Sequence, residues 1–291
     1  LSSTGSMLRI LHGSDLQMGR PFRPRAAKAL RQLAFEVAPN LIIISGDLTQ
    51  RAKVHEFQAA WKFLEELPQV PIVVTPGNHD VPLYRFWERL FVPYRSWNRT
   101  IPHDLDSVTV IPGATVVALN SASPWSAIVG GRLTQAQLRF ARQSFDNEPT
   151  EGIRVLVTHH HFVCKSAGGG GQPIPDAQLI LKQIEEMEVD VVLSGHLHRT
   201  QVAMSRDVVP GESVGVPLIT AGTATSRRGR GEEKDTNTVN VLDVMEDQIK
   251  VTPHLLENSE RVFEAMEAIS LMRRPMPNAS LSRHMASEER V

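Results

Sequence analysis

Five times along this chain a short apolar run ends abruptly in aspartate, asparagine or histidine, and that recurrence limits the folds open to it more than any other feature. Residues 7–12 lead into Gly13-Ser14-Asp15-Leu16-Gln17, Leu41–Ile44 into Ser45-Gly46-Asp47, and residues 71–75 into Pro76-Gly77-Asn78-His79-Asp80. Residues 153–157 lead into Thr158-His159-His160-His161, and residues 189–193 into Ser194-Gly195-His196-Leu197-His198. A compact β-branched run bounded by Gly or Pro reads as a buried strand. Between the first three runs, residues 24–37 and 54–67 carry apolar side chains at helical spacing. The first stripe is Ala27, Leu30, Leu33, Ala34 and Val37, and the second is Phe57, Ala60, Trp61, Leu64 and Leu67. Strand, helix, strand, helix, strand predicts a parallel sheet with right-handed crossovers. The carboxyl ends of parallel strands share one edge, and ligands bind in the crevice outside it.

The remaining elements come from the same patterns. Residues 81–97, rich in aromatics and arginine, read as a helical insertion over one side of the site, its aromatic stripe serving as packing. Residues 108–111 and 114–119, joined by Pro112-Gly113, read as a hairpin or adjacent strands. Helices are expected over 134–145, with Thr134 as cap, and over 176–187, capped by Asp176. Residues 216–220, 238–244 and 248–252 read as closing strands. Residues 261–272 space Val262, Met266, Ile269 and Met272 as a C-terminal amphipathic helix would, assigned to 256–274 as a whole. Residues 275–291 read as a disordered tail and Leu1 to Ser6 as a cloning remnant, which leaves 7–255 as the catalytic domain. Gly168 to Gly171 reads as a surface loop or a mobile loop near the site, with no Lys-Ser/Thr to make it a phosphate loop.

Composition removes several classes of function. A net charge of -1 gives no field for nucleic acid or an anionic membrane, so no nucleic-acid polymer is expected as partner. No apolar run approaches the ~18 residues of a membrane span. Cys164 is the single cysteine, which fits a reducing, cytoplasmic setting and a chain without an internal disulfide. A homodimer is among the assemblies open to it.

What the five clusters share is metal-ligand chemistry. Carboxylate, imidazole and amide oxygen together suit borderline divalent ions such as Mn, Fe, Co, Ni or Zn. In an extended segment residues i and i+2 point the same way, so Asp15 with Gln17 and His196 with His198 can each aim two ligands at one place. A carboxylate shared by two ions holds a metal pair about 3.5–4 Å apart, a spacing suited to in-line phosphoryl displacement.

Asp15-Leu16-Gln17, Gly46-Asp47, Gly77-Asn78-His79-Asp80, the histidine cluster and Gly195-His196-Leu197-His198 together resemble the five ordered motifs of the calcineurin-like metallophosphoesterase superfamily. Within it, Ser14-Asp15-Leu16, Gly46-Asp47-Leu48-Thr49 and the segment Ala221-Gly222-Thr223-Ala224-Thr225-Ser226 look most like class III cyclic-nucleotide phosphodiesterases and their glycerophosphodiesterase relatives. The resemblance implies a four-layer α/β/β/α sandwich, two mixed sheets flanked by helices. It implies two divalent ions, one held by Asp15 and His198, a second by Asn78, His159 and His196, with Asp47 bridging. His79 would stabilise the transition state or protonate the leaving oxygen, and Asp80 would orient it.

Two departures from that pattern matter. His161-Phe162 stands where a Pro is usual, which keeps His160 as an alternative ligand to His159. Gln17 stands where the pattern has a histidine. It can ligate through its amide oxygen, favouring harder ions such as Mn; it can bind a metal-held water; or the first site is lost. The expected activity is hydrolysis of a small phosphodiester such as a cyclic nucleotide, by attack of a water activated between the two ions. A nucleotide-lipid pyrophosphatase or another phosphoesterase, such as a glycerophosphodiesterase or a nuclease, is the rival within the class, and a metal-poor scaffold or binding module the rival of a different class. Arg227, Arg228 and Arg230 read as a solvated basic loop in preference to a substrate contact.

Overall fold

Alternating strands and helices build the first quarter of the molecule. The computed structural model describes residues 8–125, 130–148, 152–163, 172–209 and 215–273. In chain order, β1 (Leu8–Gly13), α1 (Pro24–Val37), β2 (Leu41–Ile44), α2 (Val54–Glu65) and β3 (Ile72–Val74) come first. Pro24 opens α1 at its first turn, where a missing N–H costs nothing. Ala38 closes it at φ 46°, donating its N–H to the Ala34 carbonyl. Ala27, Leu30, Leu33 and Ala34 are buried, while Val37 is half-buried. β1, β2 and β3 pair in parallel.

The chain continues through α3 (Phe86–Phe91), α4 (Arg95–Thr100), β4 (Ser107–Ile111), β5 (Ala114–Ala118), α5 (Gln135–Asn147), β6 (Ile153–Val157), α6 (Ala177–Glu186) and β7 (Val191–Ser194). It finishes with β8 (Gln201–Met204), β9 (Pro217–Thr220), β10 (Asn237–Val244), β11 (Gln248–Leu256), β12 (Glu264–Ala265) and β13 (Ile269–Met272). One sheet has the order β12-β11-β10-β1-β2-β3, with β13 also on β11; the other runs β4-β5-β6-β7-β9-β8. Ile10, Ile43 and Val73 of the first sheet meet Val116, Val155 and Leu193 of the second in a shared apolar layer. α1, α2 and α4 cover the outer face of one sheet, and α5 and α6 that of the other. The architecture is the four-layer α/β/β/α sandwich. β4 and β5 form the expected hairpin, and Thr134 caps α5 by accepting the Gln137 N–H.

Three expectations are corrected. No helix spans 261–272: β12 and β13 pair with β11 instead, Ile269 opposite Val251 and Leu271 opposite Ile249. Met266, Ile269 and Met272 of the supposed stripe are exposed, whereas Phe263 is buried and Leu271 packs on the inter-sheet core. The open edge of β11 offers a ladder of backbone partners, and that tertiary gain overrides a helical period. The aromatics of 81–97 are not mainly packing: Trp97 is fully buried, but Tyr84, Phe86, Trp87 and Phe91 are all exposed. Asp176 takes a left-handed backbone at the start of α6 and makes no side-chain cap. β8 had no sequence signal strong enough to name it. Cys164, the glycines 168–171, the leader 1–6 and the tail 275–291 lie outside the described residues. Among the described residues no helix is long and apolar enough to cross a membrane.

Trp97 is the largest fully buried side chain. It stands edge-on to Phe57 with centroids 6.0 Å apart and donates its indole N–H to the His103 carbonyl at 2.9 Å. Trp97→Ala should cost about 3–5 kcal/mol of unfolding free energy by denaturant titration. A loss under about 1 kcal/mol would mean that the insertion is not anchored by this ring.

Candidate metal centre

Every one of the five polar clusters leaves the carboxyl end of a strand, from β1, β2 and β3 in one sheet and β6 and β7 in the other. Ser45 ties the two groups together. Its carbonyl accepts His159 Nδ1 at 2.8 Å and Ser14 Oγ at 3.1 Å, and its hydroxyl meets His12 Nε2 at 2.9 Å. Asp15, Asp47 and His198 present ligand atoms that all lie within 4.8 Å of one another. His198 Nε2 is 3.6 Å from Asp15 Oδ1 and His159 Nε2 is 3.5 Å from Asp47 Oδ1. Asn78 Oδ1 lies 3.2 Å from His159 Nε2 and 3.0 Å from His196 Nδ1. Of the histidine triplet, His159 is the one that meets Asp47 and Asn78. The His160 ring packs on His196 at 4.7 Å, with its Nδ1 on Ser121 Oγ at 2.9 Å.

The paired ligands converge for a different reason from the one the sequence suggests. Asp15, Gln17, Asp47, His196 and His198 all have left-handed backbones, with φ between 48° and 70°. Such a conformation costs a non-glycine residue roughly 1–2 kcal/mol, and strain of this kind gathers at functional sites. Close approach is the second device. A Cβ on Gly77 would sit 2.2 Å from Asp47 Oδ1, and one on Gly46 2.4 Å from His159 Nδ1, so only glycine lets these strands bring their ligands together.

The charges are unbalanced as they stand. Asp15 and Asp47 are fully buried. Burial would raise Asp15, but His198, His159 and His196 outweigh it and hold the carboxyl at about 2. Asp47 is pushed well above the usual carboxylate range by burial and by the neighbouring Asp15 and Asp80. Burial, more than any charge, lowers His159, His196 and His198, so all three are neutral imidazoles, the form that ligates. Gln17 Nε2 spans the carboxylates at 3.3 Å from each, while its buried Oε1 has no hydrogen-bond partner among the described residues. His198 Nδ1 also lacks one. Two buried carboxylates, neutral imidazoles and an unpartnered amide oxygen fit a divalent cation.

Asp80 does not touch the His79 ring, contrary to the expected pairing. Its carboxylate accepts the N–H groups of Leu48, Thr49 and Gly77 and the Thr49 hydroxyl, stitching the second cluster to the third. The His79 ring is oriented by the Gln50 carbonyl, 3.1 Å from Nδ1. Arg228 Nη1 donates to His79 Nε2 at 2.8 Å. Nδ1 therefore carries the ring proton. Burial first, and Arg228 second, bring His79 down to about 4. Arg228, which sequence reasoning assigns to a solvated loop, is instead in contact with the site. Thr223 and Thr225 hydroxyls donate to the Asp15 and Leu16 carbonyls, and Ala224 N–H donates to Ser14, which pins this segment against the first cluster. Arg227 and Arg230 are solvated as expected, whereas Arg228 turns inward.

Two mixed sheets bring aspartate, asparagine and histidine to one shared edge, a donor set that suits divalent metal ions. The chain belongs to the calcineurin-like phosphoesterase family, whose model matches residues 8–200. It is 31% identical over 183 residues to a probable cyclic nucleotide phosphodiesterase of Synechococcus sp.. That match covers 60% of this chain and 64% of the relative, so the chain spans a little under two thirds of it. The fold is similar to a purple acid phosphatase from yellow lupin (Lupinus luteus) seeds, with TM-score 0.68 at 14% identity, over 92% of this chain and 54% of that one. A dimetal phosphatase from Danio rerio gives TM-score 0.62 at 13% identity, over 92% and 99% of the two chains. GAP50, the anchor in the inner membrane complex of Plasmodium, gives 0.60 at 15%, over 97% and 94%. At such identities the likeness is one of fold alone.

His12 lies beneath this site, fully buried, and burial brings it down to about 3. Unfolded, it protonates near 6.5, so the unfolded chain binds the extra proton and stability falls as pH drops from 6.5 toward 3. In metal-free protein, His12→Gln should flatten the dependence of unfolding free energy on pH between 6 and 4 by up to about 1.4 kcal/mol per unit. An unchanged slope in denaturant titrations would show that His12 does not stay neutral.

Proposed function

We propose that the protein is a metal-dependent phosphodiesterase acting on small organic phosphodiesters. Asp15, Gln17 and His198 would hold one divalent ion, Asn78, His159 and His196 a second, and Asp47 would serve both. The observation that carries this reading is the group of Asp15, Asp47 and His198, buried and within 4.8 Å. Mn, Fe, Co, Ni and Zn all suit this mixture of donors, and the amide of Gln17 favours the harder among them. Such ions supply positive charge at the phosphoryl oxygens and an activated water for in-line attack.

The chain's own groups then do the rest. Neutral imidazoles offer lone pairs without a proton to lose first. Gln17, whose amide nitrogen now faces both carboxylates, would offer its amide oxygen to a bound cation. Arg228 would bring a permanent positive charge near the five-coordinate phosphorus of the transition state, where charge builds. His79, neutral and anchored by Gln50, holds that guanidinium in place; with its ring proton on Nδ1 it is a positioning residue in this arrangement. Asp80 keeps the second and third clusters in register. The name of the Synechococcus relative supports a phosphodiester substrate, and cyclic mononucleotides are the first to try. Similarity to the Plasmodium anchor keeps a non-enzymatic scaffold as the outcome to exclude.

Metal-reconstituted protein should hydrolyse bis-p-nitrophenyl phosphate. Asp47→Asn should lower turnover by about a thousandfold or more and remove bound metal in elemental analysis. A wild-type protein that binds metal and turns over no phosphodiester would make the scaffold reading the correct one. Gln17→His should raise affinity for Zn relative to Mn, because imidazole is the softer donor. Equal affinities in parent and variant would remove Gln17 from the ligand set.

A further inference from the structure

A cleft of about 600 Å³ adjoins the metal centre on the His79 side. Arg20, Arg51, Lys53 and Arg228 line it, together with His55 and Gln50. Among the described residues none of these four cations is engaged in an ion pair, whereas Arg9, Arg31, Arg85, Arg142, Arg154 and Arg273 all face carboxylates. The chain as a whole carries a net charge of -1, so this concentration is local. The single carboxylate in the lining, Glu56, is buried and occupied: its Oε2 accepts the N–H groups of Arg51 at 2.8 Å and Lys53 at 3.3 Å. Glu56 thus shapes the loop that presents the two cations. Arg85 braces the same loop by donating to the Arg51 and Ala52 carbonyls. The Arg51 guanidinium lies over the Tyr84 ring, 4.3 Å from its centroid, and so is held in place while its N–H groups stay available to an anion.

The cleft and the metal centre share a wall. Gln50 and Arg228 line the cleft, and each is bonded to one nitrogen of the His79 ring. The backbone N–H of His79 in turn donates to Asp47 Oδ1 at 2.8 Å. One residue separates the cationic cleft from the shared carboxylate. Resting on the phosphodiesterase reading, we propose that this cleft is a subsite for a second phosphate group on the substrate, and that the preferred substrates are phosphodiesters carrying such a group. Guanidinium forks match phosphate in geometry as well as charge, and a nucleoside-sized arm fits the volume. Cyclic mononucleotides, with one charge, leave the subsite unfilled.

A matched pair of substrates tests this: thymidine 5′-(p-nitrophenyl phosphate) and the same ester bearing a 3′-phosphate. Wild-type enzyme should favour the 3′-phosphorylated ester by about tenfold or more in kcat/KM, chiefly through KM, and added salt should erode the preference. The double variant Arg51→Ala/Lys53→Ala should bring the ratio close to one, while Lys28→Ala, on the exposed side of α1, should retain it. A wild-type ratio near one, or a ratio that survives the double variant, overturns the proposal. If neither ester is hydrolysed, the phosphodiesterase reading fails, and calorimetry then decides the subsite. Thymidine 3′,5′-bisphosphate should bind wild-type protein about tenfold more tightly than thymidine 5′-monophosphate, an advantage lost in the double variant; equal binding overturns the proposal.

Discussion

Asp15 and Asp47 stand side by side in an interior from which water is excluded, and two like charges in that setting cannot both be at ease. The surrounding architecture answers this one problem. Neutral imidazoles arrive from the second sheet, an amide bridges the two carboxylates from the first, and backbone N–H groups satisfy Asp80 behind them. Five residues accept left-handed backbones to complete the arrangement. A cation at the proposed centre would relieve the repulsion directly, which would make metal affinity and the strain of the cage two sides of one free energy.

Much of this is legible in the sequence alone. The apolar runs that become β1, β2, β3, β6 and β7 differ sharply in composition from the polar clusters at their carboxyl ends, so strand ends and candidate ligands announce themselves together. The helical stripes of α1 and α2 are equally plain, because each buries one face against a sheet. The C-terminal segment misleads for a physical reason. Spacings of four and three suit a helix, but pairing with the free edge of β11 depends on a partner that local pattern cannot see.

The site itself was half legible. The residue types Asp, Asn and His are visible in sequence, whereas the left-handed turns that aim Asp15 with Gln17 and His196 with His198 are not, since none of these positions is glycine. Arg228 shows the same limit. Three nearby arginines look alike in sequence, and only the threonine bonds that fasten residues 223–225 to the first cluster decide which of them turns inward. Asp80 and His79 adjoin in sequence yet serve different neighbours, so adjacency was a poor guide to partnership.

The central place of β1 in its sheet has a temporal consequence. Its flanks are β2, about thirty residues on, and β10, which begins at Asn237. The proposed ligands run from Asp15 to His198. A growing chain therefore presents β1 with one side bare until roughly two hundred further residues exist, and contacts of such sequence separation form slowly. At the proposed centre, metal capture would come after the meeting of the two sheets, so the cage would close once synthesis has passed His198.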